Sequence, residues 1–156
     1  MHSNIQRIDS HEVYKIVKLF SDYRGFYGMN SDPYEERFLM DRIVNNQSVI
    51  FVAYESSGDA CGFCQCYFGF SSLSCSKNLI LNDLYIDIKS RGLGYGKTLL
   101  KHVLDYARNE GYHHVTLETE INNKIAINLY RELGFESDER FMIMHRNINK
   151  DDVKLS

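Results

Sequence analysis

The residues best suited to chemistry lie between Leu79 and Phe135. An apolar run, Leu79-Ile80-Leu81-Asn82-Asp83-Leu84-Tyr85-Ile86, leads into Arg91-Gly92-Leu93-Gly94-Tyr95-Gly96-Lys97. That glycine loop opens an amphipathic helix over residues 97–109. Alternate glycines let the backbone approach a ligand closely. Free amides of the loop and first helical turn then form an anion cradle. Arg91 and Lys97 flank the loop. The helix dipole opposes a lysine in the first turn, and a bound phosphate offsets that repulsion. The competing reading is a tight strand-to-helix turn with solvated basic side chains. Asp83 and Glu118 could accept protons, and Tyr130 could donate one.

Two phosphate-binding patterns fit poorly. The dinucleotide fingerprint G-x-G-x-x-G fails because Lys97 stands where its third glycine belongs. The P-loop pattern nearly fits through Gly96-Lys97-Thr98, but Arg91 replaces its first glycine. A nucleotide-binding protein is therefore one rival, and a non-catalytic CoA-binding module is another. R-x-x-G-x-G after LNDLYIDI resembles the acetyl-CoA pyrophosphate loop of the GNAT superfamily of N-acetyltransferases. Asn123-x-x-Ala126-x-x-Leu129-Tyr130-x-x-x-Gly134-Phe135 resembles the second signature of that superfamily. YRGFYG, SVIFVAY and ILNDLYI look like its subgroup of yeast histone, polyamine and D-amino-acid acetyltransferases.

The resemblance implies acetyl transfer from acetyl-CoA to a primary amine in a ternary complex. Leu84, Tyr85 and Ile86 would offer backbone to the pantetheine arm. The amides of Gly92, Leu93, Gly94, Tyr95, Gly96 and Lys97, flanked by Arg91, would take the pyrophosphate. Asn123 would contact the pantetheine, and Tyr130 would protonate the departing thiolate. The strands holding Leu79 and His114 would splay around the cofactor. Glu118 matches the glutamate of ribosomal-protein N-terminal acetyltransferases. Polyamine acetyltransferases place a glutamate where this chain has Asn82, which cannot act as a base. Asp83 could serve only if the strand turns it inward, because adjacent strand side chains face opposite ways. The acceptor pocket would draw on Tyr23, Arg24, Tyr27 and Asn82, with Phe26, Asp22, Asp32, Glu35 and Glu36 nearby. Aromatics with carboxylates suit a cationic amine, whereas Arg24 could hold the carboxylate of an amino acid. Family habit implies a homodimer.

Acyl transfer makes the same demands independently. The amine must be neutral to attack, the oxyanion needs donors, and the thiolate needs a proton. Ile86 offers a backbone amide for the oxyanion. No cysteine acyl-enzyme is expected, because the cysteines precede the cofactor strand and no histidine partner is evident.

These residues must be held by a folded core. With 156 residues, 44% apolar, the chain is expected to form a single domain over 1–156, with 147–156 as a polar tail. A net charge of −3 supplies no general attraction for nucleic acid. The polar N-terminus and the lack of a long apolar run imply neither leader nor membrane span, hence a cytoplasmic protein. Cys61, Cys64, Cys66 and Cys75 invite a zinc reading, but alternation puts Cys61 opposite Cys64 and Cys66. No metal is expected.

The hydrophobic pattern predicts the order β-α-α-β-β-β-α-β-α-β-β. Ser10 caps a helix from His11, residues 23–31 form a loop, and Asp32-Pro33 opens a second helix. Residues 48–55, 60–70 and 78–88 read as strands, and 113–120 as another. A short helix follows Asn122 or Asn123, then a last hairpin with Phe141 to His145 as its clearer strand. The class is α+β: a mixed, mostly antiparallel sheet of about six or seven strands with about four helices on both faces.

Overall fold

The computed structural model describes residues 4–148. One open sheet runs β1 (Asn4–Arg7), β2 (Ser48–Tyr54), β3 (Ala60–Ser71), β4 (Ser76–Ile86) and β5 (His114–Leu117) in spatial order. The first three pairings are antiparallel and the last is parallel. Helices α1 (Val17–Phe26) and α2 (Glu35–Val44) pack on one face. Helices α3 (Tyr95–Asn109) and α4 (Lys124–Glu132) pack on the other.

The sequence of β2 explains this layering. All seven of its residues are buried. Val49, Phe51 and Ala53 join the core under α3, while Ile50, Val52 and Tyr54 join the core under α1 and α2. A strand covered on both faces reads as a continuous apolar run. Leu99, Leu100, Val103 and Ala107 form the buried stripe of α3, at the spacing an amphipathic helix requires.

The structure differs from the sequence expectations in several places. The first helical segment splits into a 3-10 turn, Ser10–Lys15, with a capping box from Asp9 and Glu12, and then α1. Helix α1 runs on to Phe26 and so takes in Tyr23 and Arg24, which the glycine-containing pattern put in a loop. It ends where Gly28 adopts φ +79° and the Met29 amide donates to the Arg24 carbonyl; glycine supplies this left-handed closure most readily.

The sheet has five strands rather than six or seven. Residues 135–148, expected as a hairpin, form no ladder among the described residues. Phe141, Met142, Ile143 and Met144 lie exposed. Their apolar, strand-like composition reflects side-chain type, whereas a strand also needs a partner with free backbone groups. The expected tail extends beyond the described residues at 149–156. Cys61 also moves. A register shift pairs Ala53 with Gly62 and Tyr54 with Ala60, leaving Cys61 as an extra residue. It therefore shares one core with Cys64 and Cys66 instead of facing away. Finally, β4 ends at Ile86, and Ile88–Ser90 is a 3-10 turn.

Gly62 is where β3 and the end of β4 approach most tightly. A Cβ there would stand 2.5 Å from Ile86 Cδ1 and 3.0 Å from the Tyr85 carbonyl oxygen. Gly62→Ala is expected to cost about 1–3 kcal/mol through overpacking. Calorimetry should show a Tm lower by roughly 2–12 °C for a domain of this size.

Candidate active site

The site is organised by one extra residue in β4. Leu81 pairs with Cys66 and Asp83 pairs with Gln65, so Asn82 has no opposite residue. Such a bulge reverses the alternation of everything after it. Leu79 and Leu81 point to the α3 side, and so do Leu84 and Ile86. Tyr85 points to the α1 and α2 side. Asp83 turns the same way as Tyr85 and meets Tyr23 of α1. The inward turn that sequence reasoning required of Asp83 is thus supplied by the backbone.

Asp83 is 2% exposed. Gln65 Nε2 donates to its Oδ2 at 2.7 Å, and Asn82 Nδ2 donates to its Oδ1 at 2.7 Å. Burial raises its pKa above the usual carboxylate value, and the hydrogen bonds from Gln65 and Asn82, with the Tyr23 hydroxyl nearby, offset part of that rise. A carboxylate shifted upward is a better proton acceptor near neutral pH. Gln65 also donates to the Tyr67 hydroxyl at 3.2 Å. Sequence reasoning missed Gln65. Its signal was a lone amide in a strand buried on both faces, a placement that needs a specific partner.

Asp83 opens into a cavity of about 330 Å3 between α1, α2 and the sheet. Phe20, Tyr23, Tyr34, Phe38 and Tyr67 supply its aromatic walls. Tyr23 donates its hydroxyl to the Asn82 carbonyl at 3.3 Å. Burial, then the neighbouring Asp83 charge, raises the Tyr23 pKa. Arg24 is not free: it donates to the Glu35 carboxylate and to the Asn30 carbonyl. The Arg24 charge that the sequence reading offered to a substrate carboxylate is here matched by Glu35 through Nη1. Asp22 pairs with Lys18, and Phe26 is exposed.

A second cavity, about 540 Å3, lies where β4 and β5 diverge. Their ladder ends at Leu81 and Leu117. Beyond it, Asn82 and residues 116–120 form opposite walls, with Ile143 along them. Tyr23 and Asn82 border both cavities, and Tyr27 borders the second. The main chain of β4 faces this gap at alternate residues. The Asp87 amide donates to the Cys61 carbonyl, which sets the phase of the antiparallel ladder. Asp83 and Tyr85 then bond to β3, while the backbone groups of Leu84 and Ile86 point away from it; the Ile86 carbonyl is taken by Arg91, which leaves the Ile86 amide and both groups of Leu84 on the open side. The main chain of Tyr85 is held by Phe63.

The glycine loop is built as an anion cradle. Gly92 and Gly94 adopt φ +75° and +89°, a region that favours glycine. A Cβ at either would meet nothing within 4 Å, so the space above the loop is open. Gly94 is the N-cap of α3, and neither a side-chain cap nor an acidic first-turn residue neutralises that helix end. The amides of Tyr95, Gly96 and Lys97 are thereby left for an anion. A pyrophosphate fits this donor set. The side chains flanking the loop have protein partners here. Arg91 Nε donates to the Ile86 carbonyl at 2.9 Å, and its guanidinium lies 5.3 Å from the Tyr85 ring centroid. Lys97 pairs with Glu132 of α4. Tyr95 is buried in the core, and Leu93 is exposed.

Helix α4 brings up the second signature. Asn123 Oδ1 accepts from the Ala126 amide at 3.3 Å and caps the helix, so only its amide nitrogen is left for a ligand. Tyr130 is half-buried against Phe135, with ring centroids 5.9 Å apart. Burial, and then Tyr27, raises its pKa. Such a phenol stays protonated at neutral pH and can donate. Glu118 and Glu120 line the gap but are exposed.

Comparison with known proteins bears on this arrangement. The model of the Acetyltransferase (GNAT) family matches residues 13–135. An uncharacterised N-acetyltransferase, YhfO of Bacillus subtilis (strain 168), is 40% identical over 140 residues, covering 89% of this chain and 93% of that protein. Streptothricin acetyltransferase of Streptomyces lavendulae is 32% identical over 120 residues, covering 77% of this chain and 57% of that protein. The crystal structure of a probable acetyltransferase superimposes with a TM-score of 0.87 at 32% identity, covering 94% of this chain and 99% of that one.

The raised pKa of Asp83 has a stability consequence. In the window between its ordinary and raised values the folded state holds the proton more tightly, so the stabilisation is lost as pH rises through the folded pKa. Asp83→Asn is therefore expected to raise Tm at pH 7 relative to the parent. The gap should close once the pH falls below the ordinary carboxylate range, as thermal melts across pH would show.

Proposed function

Since the chain belongs to the acetyltransferase (GNAT) family, we propose that it transfers the acetyl group of acetyl-CoA to the primary amine of a small molecule by direct attack in a ternary complex. The observation that carries this reading is the bulge at Asn82. It aims a buried carboxylate, Asp83, into a cavity adjoining the gap between β4 and β5. The pyrophosphate would rest on the amides at the start of α3, and the pantetheine would run along Leu84 and Ile86. The acceptor would enter between α1 and α2.

The chemistry follows from these positions. The acceptor ammonium gives a proton to Asp83 or to water, and the neutral amine attacks the thioester carbonyl. A nitrogen–carbon bond forms, the carbon–sulfur bond breaks, and backbone amides of β4 stabilise the oxyanion. Tyr130 gives its proton to the sulfur and is reprotonated by the second proton, which the nitrogen sheds on becoming an amide. We assign the base to Asp83 rather than Glu118. Asp83 is buried and held by two side-chain hydrogen bonds, whereas Glu118 is exposed in the wall of the gap.

Three measurements check this. Acetyl-CoA or CoA at 100 times Kd should stabilise the protein by about 2.7 kcal/mol, and Mg-ATP should not. Gly94→Glu should remove that stabilisation by placing bulk and negative charge at the cradle. Tyr130→Phe should keep CoA binding while kcat with an amine acceptor falls about 100-fold. Unchanged kcat would take the acid role from Tyr130, and stabilisation by Mg-ATP alone would overturn the reading.

A further inference from the structure

Resting on the amine-acetyltransferase reading, we infer that the acceptor is a compact di- or polyamine: it carries a second cationic nitrogen and no carboxylate. The acceptor cavity holds three carboxylates, Asp32, Glu35 and Asp83, and a single guanidinium, Arg24. The guanidinium charge is already matched. Arg24 pairs with Glu35, which is 5% exposed, and also donates to the Asn30 carbonyl. Drawing Arg24 away to hold a substrate carboxylate would leave the Glu35 charge buried and unpaired, which is strongly unfavourable. Arg42 stands behind the Phe38 ring, 4.8 Å from its centroid, and is not part of the lining.

With Arg24 and Glu35 neutralising each other, the cavity is left with two acidic ends. Asp83 is at the sheet, and exposed Asp32 stands by α2, where its Oδ1 accepts from the Tyr34 amide at 2.8 Å. Between them run aromatic faces, which attract cations. One nitrogen of a diamine meets Asp83, where the attack occurs, while the other meets Asp32 and Tyr34. An α-carboxylate in the same place would meet like charge. The volume, about 330 Å3, is at the small end of ligand sites, so the acceptor is a small molecule.

The test uses three amines that differ by one group each: n-pentylamine, 1,5-diaminopentane and L-lysine. Each is titrated by calorimetry into the full chain saturated with CoA, so binding is read without turnover. The diamine is expected to bind about 10-fold tighter than pentylamine and about 10-fold tighter than lysine. Asp32→Asn should bring the diamine close to pentylamine. Glu35→Gln, by releasing Arg24, should narrow the gap between lysine and the diamine. Equal binding of pentylamine and the diamine, lysine binding as tightly as the diamine, or no binding by any of the three overturns the inference. A parallel turnover assay with acetyl-CoA separates the two claims. Selective diamine binding without product would sink the catalytic reading and leave the charge preference standing.

Discussion

The arrangement of this site depends on a single unpaired residue. A regular strand through 79–86 would send Asp83 to the side opposite Leu84, but it would also keep the phase of Leu79 and Leu81. Asp83 would then point under α3, into an apolar core with no polar partner. By standing outside the ladder, Asn82 reverses that phase and delivers Asp83 to Gln65 and Tyr23. The same residue lends its side-chain amide to Asp83 and its carbonyl to Tyr23. The burial of Asp83 is tolerated because these partners satisfy it, and its proton affinity is raised because they do so only in part.

The bulge also lies where β4 and β5 part. Beyond Leu81 and Leu117 no ladder joins them, so the backbone of Leu84 and the amide of Ile86 are not paired with β5, and the Ile86 carbonyl accepts from Arg91 instead. Chain continuity then brings the glycine loop and the start of α3 to the end of that open edge. Gly96 lies within 4 Å of both Ile86 and Leu129 by the reach of a Cβ, which ties the cradle to β4 and to α4. The anion cradle, the open strand edge and Tyr130 are thus parts of one packed unit. The acidic cavity between α1, α2 and the sheet lies across Tyr23 and Asn82 from it. Opposite polarity suits the two ends: amides and a helix N-terminus for a phosphate-bearing donor, carboxylates and aromatics for a cation.

Local signals were readable where a residue type has one physical use. The glycines at 92 and 94 could be read because a positive φ has few other occupants. The buried strand β2 and the stripe of α3 could be read because burial on two faces and on one face leave different periods. The extent of α1 could not. Tyr23 and Arg24 stand just before two glycines, Gly25 and Gly28, and the packing of Tyr23 against Phe63 and Tyr85 favours helix there. The hairpin expected after Phe135 rested on apolar composition alone and found no ladder among the described residues.

By itself the sequence determined the layered α+β architecture, the family and the left-handed glycine turn ahead of α3, because each follows from period, glycine placement and motif spacing along a short stretch of chain. Tertiary structure decided the chemistry at the acceptor side. Whether Asp83 faces in or out depends on a register between strands 18 residues apart at Gln65. Whether Arg24 can meet a substrate depends on Glu35, which is brought to it by the packing of one helix against another. Charge type is written in the sequence, but its availability is set by the partner that reaches it first.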